Sequence, residues 1–224
     1  MKVSGFTFIR NAISLDYPVV ESIQSILPLC DEVIVAVGNS EDQTLALIQG
    51  IDPKVKVIET IWDDTLRANG AVLAVETDKA LAAISPDSDW AFYIQGDEVL
   101  EDGYHSLIRE AMEFYREDYK VDGFLFNYRH FYGSYDYVGA SNSWYKKEIR
   151  IIRKVGGIYS YRDAQGFRKD DNQKLNVVAL PVHIHHYGWV KEPQAMQRKQ
   201  LNFNKLWHDD AWIETNVPSV EQFE

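Results

Sequence analysis

The stretch that decides the fold is WAFYIQGDEVLEDG, residues 90–103. Trp90, Ala91, Phe92, Tyr93 and Ile94 form an unbroken apolar and aromatic run, the pattern of a strand buried on both faces of a parallel sheet. The run stops at Gln95, Gly96, Asp97 and Glu98. Adjacent acids just past the C-terminal end of an internal strand lie where open α/β sheets bind ligands. Carboxylates there are able to hold a divalent cation, and the cation phosphate oxygens.

Working back toward the N-terminus, Val3 to Ile9 is rich in β-formers and ends at Arg10 and Asn11, which predicts a first strand with a polar end. Val19, Val20, Ile23, Ile26 and Leu27 recur at helical spacing, with Asp16 as the expected N-cap and Pro18 in the first turn. Glu32 to Val37 reads as a second buried strand. It runs into GNSEDQT, where Ser40 and Asp42 are available to cap the helix suggested by Leu45, Leu47 and Ile48. Val55 to Ile61 is a third strand. Leu73, Thr77, Ala80, Leu81 and Ile84 then share one helical face, which Pro86 ends. The strand at Trp90 is thus the fourth in a β-α-β-α-β-α-β series, the signature of a parallel sheet with right-handed crossovers.

Beyond Gly103, Leu107, Ile108, Ala111, Met112 and Tyr115 mark one more helix, with charged residues on its other face. After residue 120 the pattern changes to strands divided by turns, which predicts a smaller mixed β region packed on the first sheet. Pro193 to Trp207 reads as a terminal helix, and the tail after Trp212 is weakly patterned. The expected organisation is one domain over 1–224, with residues 1–120 and 121–192 as its two halves and 193–224 as helix and tail.

Composition narrows the function. The chain has 224 residues, 46% of them hydrophobic, enough for a sizeable core. A formal net charge of −11 argues against nucleic acid as a partner, so an anionic ligand needs a local cationic device. The lone Cys30 excludes an internal disulfide and reads as a buried thiol in a reducing compartment. No run of 18 apolar residues occurs and the N-terminus is not leader-like. The expectation is a cytoplasmic protein without a transmembrane segment.

Three clusters carry possible chemistry. Asp97 is the better metal ligand of the QGDE pair, with Glu98 ligating through water or orienting its neighbours. In HIHHYGW, strand alternation puts His183 and His185 on one face and His186 on the other. Imidazole beside carboxylate suits Mn²⁺ or a similar ion, and His185 and His186 are the leading pair. In YRDAQGFR, Asp163 lies between Arg162 and Arg168. Such a carboxylate, kept ionised by arginines, serves either as a general base or as a turn residue in a salt bridge. Arg10, Asn11 and Arg67 follow the first and third strands, where a nucleotide or diphosphate would lie.

These motifs, in this order, resemble the inverting family 2 glycosyltransferases of the GT-A fold, over residues 3–190. AVGNSEDQT is similar to that family's VVDDGSTDGT, with Ser40, Asp42 and Thr44 matching and with Val37 and Gly38 where two acids usually stand. QGDE resembles its DxD-type segment, with Asp97 in the metal-binding position and Gln95 replacing the first acid. HHYG resembles its late metal-binding histidine, and DAQGF stands in the region of its catalytic base.

The resemblance implies an α/β GT-A fold, a mostly parallel sheet with helices on both faces. It implies transfer of a sugar from a nucleotide-diphosphate donor to a hydroxyl of a glycan or glycolipid acceptor, with inversion. The implied roles are Asp163 as base, Mn²⁺ or Mg²⁺ on Asp97, His185 and His186, and a donor site of Arg10, Asn11, Gly38, Arg67, Gln95 and Gly96, supported by Glu98. The alternatives are a GT-A-like nucleotide- or glycan-binding module without catalysis, a nucleotidyltransferase and a metal hydrolase. FIRNAISLD lacks the glycine-rich basic loop of the second, and no HExxH supports the third.

Overall fold

The structure is a computed structural model that describes residues 1–66 and 69–217. Arg67 lies outside the described residues. The chain runs β1 (Val3–Ile9), α1 (Val19–Ile26), β2 (Glu32–Gly38), α2 (Thr44–Gln49), β3 (Val55–Thr60), α3 (Ala71–Ala83), β4 (Trp90–Tyr93), β5 (Glu98–Leu100) and α4 (His105–Phe114). There follow β6 (Gly123–Tyr132), β7 (Lys147–Arg153), β8 (Ile158–Tyr161), β9 (Gly166–Lys169), β10 (Gln173–Lys174), β11 (Val177–Trp189), α5 (Pro193–Asn204) and α6 (Asp210–Asn216).

Eight strands form one sheet in the order β3-β2-β1-β4-β7-β6-β11-β5. The first four are parallel neighbours, as the alternating strands and helices require. β7 enters antiparallel between β4 and β6, β6 pairs parallel with β11, and β5 closes the edge antiparallel to β11. Of the strands after residue 120, β6, β7 and β11 therefore continue the main sheet rather than pack on it. The separate smaller region is the antiparallel sheet β10-β9-β8.

Strand period divides the core between the two faces. On β4, Trp90 and Phe92, continued by Ile94, join Ile23, Ile26, Ile108 and Met112 under α1 and α4. Ala91 and Tyr93 join Val72, Leu73, Ala80 and Leu81 under α3. Trp90 through Ile94 are all 0% exposed, so both faces of the decisive strand are covered. Among the described residues no helix is long and apolar enough to cross a membrane.

Some local expectations change. Asp16 does not cap α1: its φ of 53° puts it in the left-handed region, and Pro18 holds the cap position without a side-chain bond. Ser40, Asp42 and Thr44 tie down the loop after β1, accepting from the backbone N–H groups of Asn11 at 3.0 Å, Ser14 at 2.8 Å and Ala12 at 2.7 Å. Asp42 also accepts from the Thr44 N–H at 3.0 Å as α2 begins. The weakly patterned tail contains α6, whose first turn is capped by Asp209, 2.9 Å from the Trp212 N–H.

In the half of the sheet that follows β4 lies a buried ion pair. Glu98, 0% exposed, accepts from Arg150, 1% exposed, through Nε at 2.9 Å and Nη2 at 2.7 Å. The Tyr128 hydroxyl donates to the same carboxylate at 2.7 Å, and the Gln95 N–H reaches it at 3.1 Å. Removing one partner of such a pair strands the other charge and costs about 3–5 kcal/mol, whereas replacing both with apolar groups costs far less. Arg150→Met should therefore lower unfolding free energy by about 3–5 kcal/mol, and the double variant Glu98→Leu, Arg150→Met should recover part of that loss in urea denaturation.

Candidate functional site

A cavity of about 640 Å³ opens at the carboxyl ends of β1 and β4, where open α/β sheets take ligands. The volume is in the range of sites for cofactor-sized molecules. Arg10, Asn11 and Trp62 line one end, Gln95, Gly96, Asp97, His186 and Lys199 another part, and Trp144, Arg150, Asp163 and Gln165 the side contributed by the second half of the chain.

The QGDE segment reaches the cavity through a tight turn, closed by the Glu98 N–H donating to the Gln95 carbonyl at 3.0 Å. The turn is docked on α1 by the Ser22 hydroxyl, which donates to the Gln95 carbonyl at 2.7 Å, and on β11 by the Tyr187 N–H, which donates to the Asp97 carbonyl at 2.8 Å. Glu98 is drawn inward to Arg150 and Asp97 faces the cavity. Gln95, in place of the first acid, donates through Nε2 to the Ala164 carbonyl at 3.3 Å, which ties the turn to the loop carrying Asp163.

Asp97 and His186 come together: Asp97 Oδ2 lies 3.7 Å from His186 Nε2. His130 Nε2 is 2.7 Å from the Tyr145 carbonyl and donates to it, and burial lowers the proton affinity of this ring. His130 Nδ1 lies 3.2 Å from His186 Nδ1, so one of the two carries the proton they share. Burial likewise lowers the proton affinity of His186. His185 does not join this group. It sits on the opposite face of β11, because neighbouring strand residues point to opposite sides, and it packs against Phe131 with ring centroids 5.4 Å apart. His183 shares that face, 3.4 Å from the Tyr104 hydroxyl.

The third member of the group is Lys199, from α5. Its ammonium donates to Asp97 Oδ2 at 3.0 Å and to the Gly188 carbonyl at 2.8 Å. Burial by itself would raise the Asp97 pKa, but the Lys199 charge outweighs it and holds the carboxyl well below the usual range. Gly188 must lack a side chain here: a Cβ would lie 2.6 Å from Asp97 Oδ2, 2.8 Å from His186 Cε1 and 2.8 Å from Lys199 Nζ.

The residues do not fit a divalent metal centre. Asp97 and His186 supply one carboxylate and one imidazole, and the carboxylate oxygen nearer the imidazole already accepts from an ammonium. Among the described residues no group of three or more His, Cys, Asp or Glu side chains could hold a metal ion. A hard cation such as Mg²⁺ or Mn²⁺ seeks several oxygen ligands, and the Lys199 charge would repel it.

At the other end, the Trp62 indole covers Gly38, whose added Cβ would lie 2.4 Å from Trp62 Nε1. Gly38 is therefore buried beneath Trp62 instead of lining the cavity, and the indole occupies space that an acid at this position would need. The Arg10 guanidinium stands over the Trp62 ring at 5.6 Å and pairs with Asp64 at 2.6 Å. Among the described residues, Arg10 Nε and Trp62 Nε1 are buried donors without a partner. Asn11 holds a φ of 54°, and Gly96 packs so closely that a Cβ would lie 2.9 Å from Ile9 Cδ1.

Asp163 lies in the turn between β8 and β9, flanked by Arg162 and Ala164 with φ of 58° and 63°. Its expected arginine neighbours stand over the Tyr161 ring, Arg162 at 5.1 Å and Arg168 at 4.2 Å. Glu148, on β7, accepts from Gln165 Nε2 at 3.0 Å, and burial pushes its carboxyl up to about 7. Lys199, Arg150, Trp62 and Glu148 were not singled out from the sequence. Only a basic residue within the amphipathic pattern of α5 hinted at the first.

No family profile matches the chain, and no curated protein matches it in sequence. Among solved structures, S. aureus TarS 1-349 in complex with UDP-GlcNAc is similar at 16% identity, over 99% of this chain and 78% of that one, with a TM-score of 0.52. S. aureus TarS 1-349 in complex with UDP is similar at 14% identity, over 100% of this chain and 68% of that one, with a TM-score of 0.53. The chain spans 64% of a further TarS 1-349 structure, TM-score 0.49, and 41% of the longer TarS structure, TM-score 0.48. The fold shared with the TarS complexes with UDP and UDP-GlcNAc is GT-A.

Two outcomes follow from the packing and the protonation. Gly188→Ala should lose about 1–3 kcal/mol through overpacking, measured by chemical denaturation. The folded state holds the Glu148 proton up to about 7, whereas the unfolded chain releases it near 4.5, so this residue makes stability fall as pH rises between those values. Glu148→Gln should flatten that fall in denaturation curves taken across the window, and an unchanged slope would refute the assignment.

Proposed function

We propose that this chain is a nucleotide-sugar-dependent glycosyltransferase working as one domain, with residues 1–120 serving the donor and 121–192 the acceptor. The observation that carries the reading is the cavity at the carboxyl ends of β1 and β4, with Asp97, His186 and Lys199 gathered at one wall and Asp163 at another. The GT-A fold adds support, since two neighbours of that fold are in complex with UDP and UDP-GlcNAc. UDP-sugars are accordingly the first donors to test. Trp62 and Arg10, both in the cavity lining, offer an aromatic face and a guanidinium beside it for the base.

In the proposed reaction an acceptor hydroxyl attacks the anomeric carbon from the side opposite the diphosphate, with inversion. The new C–O bond forms as the bond from C1 to the β-phosphate oxygen breaks, and its electron pair leaves with the nucleoside diphosphate. The acceptor proton passes to the Asp163 carboxylate acting as general base. Exposed aromatic side chains around β6, among them Tyr132, Tyr135 and Tyr137, offer faces for a glycan acceptor.

The Mn²⁺ or Mg²⁺ implied by the family resemblance is not part of this scheme, because the Asp97 group does not fit it. A binding module without catalysis is the competing reading, favoured by Gln95 and Gly38 where acids usually stand.

The test is UDP released from UDP-GlcNAc and other UDP-sugars, together with thermal stabilisation by UDP. Asp163→Asn should lower release by about 10²–10⁴-fold and leave the UDP-induced rise in Tm intact. Stabilisation by UDP with no release from any donor would favour the binding module.

A further inference from the structure

A diphosphate leaving group needs positive charge beside it, and a protein with a net charge of −11 must supply that charge locally. Lys199 is built into the wall of the cavity as a charged group, with its side chain only 9% exposed and that of Asp97 10% exposed. Isolated burial of an ammonium is strongly unfavourable, so the single carboxylate that compensates it is part of the same device. A lone buried ion pair is also a poor source of stability, because desolvation offsets its attraction.

The orientation of the ammonium is defined on several sides. Two of its three protons go to Asp97 Oδ2 and the Gly188 carbonyl, and Tyr17, another residue of the cavity lining, has its ring 5.0 Å away. Lys191 stands over the same ring at 4.9 Å. An ammonium has three donors and no acceptor, which leaves one N–H for a ligand oxygen. The close approach of Lys199 to Asp97 and His186 exists only because Gly188 has no side chain.

We propose that the Lys199 ammonium, held by Asp97 and the Gly188 carbonyl, is the resident cation of the donor diphosphate, so that the chain binds its donor without a divalent metal. This rests on the donor reading given above. When the bond from C1 to the β-phosphate oxygen breaks, the oxygen that gains the electron pair accepts a hydrogen bond from Lys199. Lys199 keeps its proton throughout, and the acceptor proton goes to Asp163. Such a fixed charge stabilises the leaving group as its negative charge grows, without reorganisation. Asp97 acts here as a positioning residue for the lysine instead of as a metal ligand.

The test is calorimetric binding of UDP and of inorganic pyrophosphate to the full chain, in excess EDTA and again with Mn²⁺. Expected results are binding of both probes in EDTA, less than about a threefold gain with Mn²⁺, and at least a tenfold loss in Lys199→Met that Lys199→Arg largely restores, as expected for a charge-assisted phosphate contact. If Lys199→Met does not fold, the double variant Asp97→Asn, Lys199→Met, which removes both charges, carries the same comparison.

Binding that requires Mn²⁺ would overturn the inference and leave the donor reading standing. Equal binding by wild type and Lys199→Met in EDTA would do the same, reducing the lysine to a brace between α5 and β11. Failure of UDP, ADP, GDP, CDP and dTDP to bind, with or without Mn²⁺, would overturn the donor reading and the inference with it.

Discussion

The buried pair of Glu98 and Arg150 is the constraint on which the rest of the site depends. It joins the β5 edge to β7, and through the Tyr128 hydroxyl to β6, in the half of the sheet that follows β4. Arg150 also lies over the rings of Tyr93 and Tyr128 at 5.2 and 5.1 Å, and its Nη1 donates to the Ile149 and Gln165 carbonyls. A guanidinium so fully partnered sits in one orientation. Glu98 is held inward at the end of the tight turn, and Asp97, within that turn, faces the cavity. The pair thus positions the chemistry more than it stabilises the fold.

The neighbouring groups form a second layer of compensation. Asp97 is ionised because Lys199 is beside it, and Lys199 tolerates burial because Asp97 is there. His186 is positioned by His130, which in turn is held by a backbone carbonyl. The loop bearing Arg10 and Asn11 is fixed by Ser40, Asp42 and Thr44, so these three residues brace a loop that faces the cavity. Preorganisation of this kind lets a few polar groups act strongly in a partly dry site.

What was legible beforehand follows the length scale of each signal. The strands and helices of the first half were readable because burial on both faces of a sheet demands continuous apolar runs, and helices demand a 3.6-residue stripe. Asp97 could be singled out because it follows such a run, and His186 because it stands in a cluster of histidines. The short strand β5 and the helix α6 were not, since three residues pairing with β11 and one capped turn leave no periodicity to detect. The pairing of His185 with His186 failed on strand geometry alone, which turns neighbours apart.

The sequence by itself determined the α/β series, the strand at Trp90 buried on both faces, and the polar tip that follows it. These depend on local patterns of apolar residues, which any close-packed sheet must satisfy. Only the tertiary structure decided what meets at that tip: Arg150, 52 positions from Glu98, and Lys199, 102 positions from Asp97. Charge partners at such separations obey no periodicity, and they are selected by desolvation, which exists only once the chain has folded around them. The QGDE tip, read in isolation as a place for a metal, is in the folded chain the partner of two cations that the protein itself supplies.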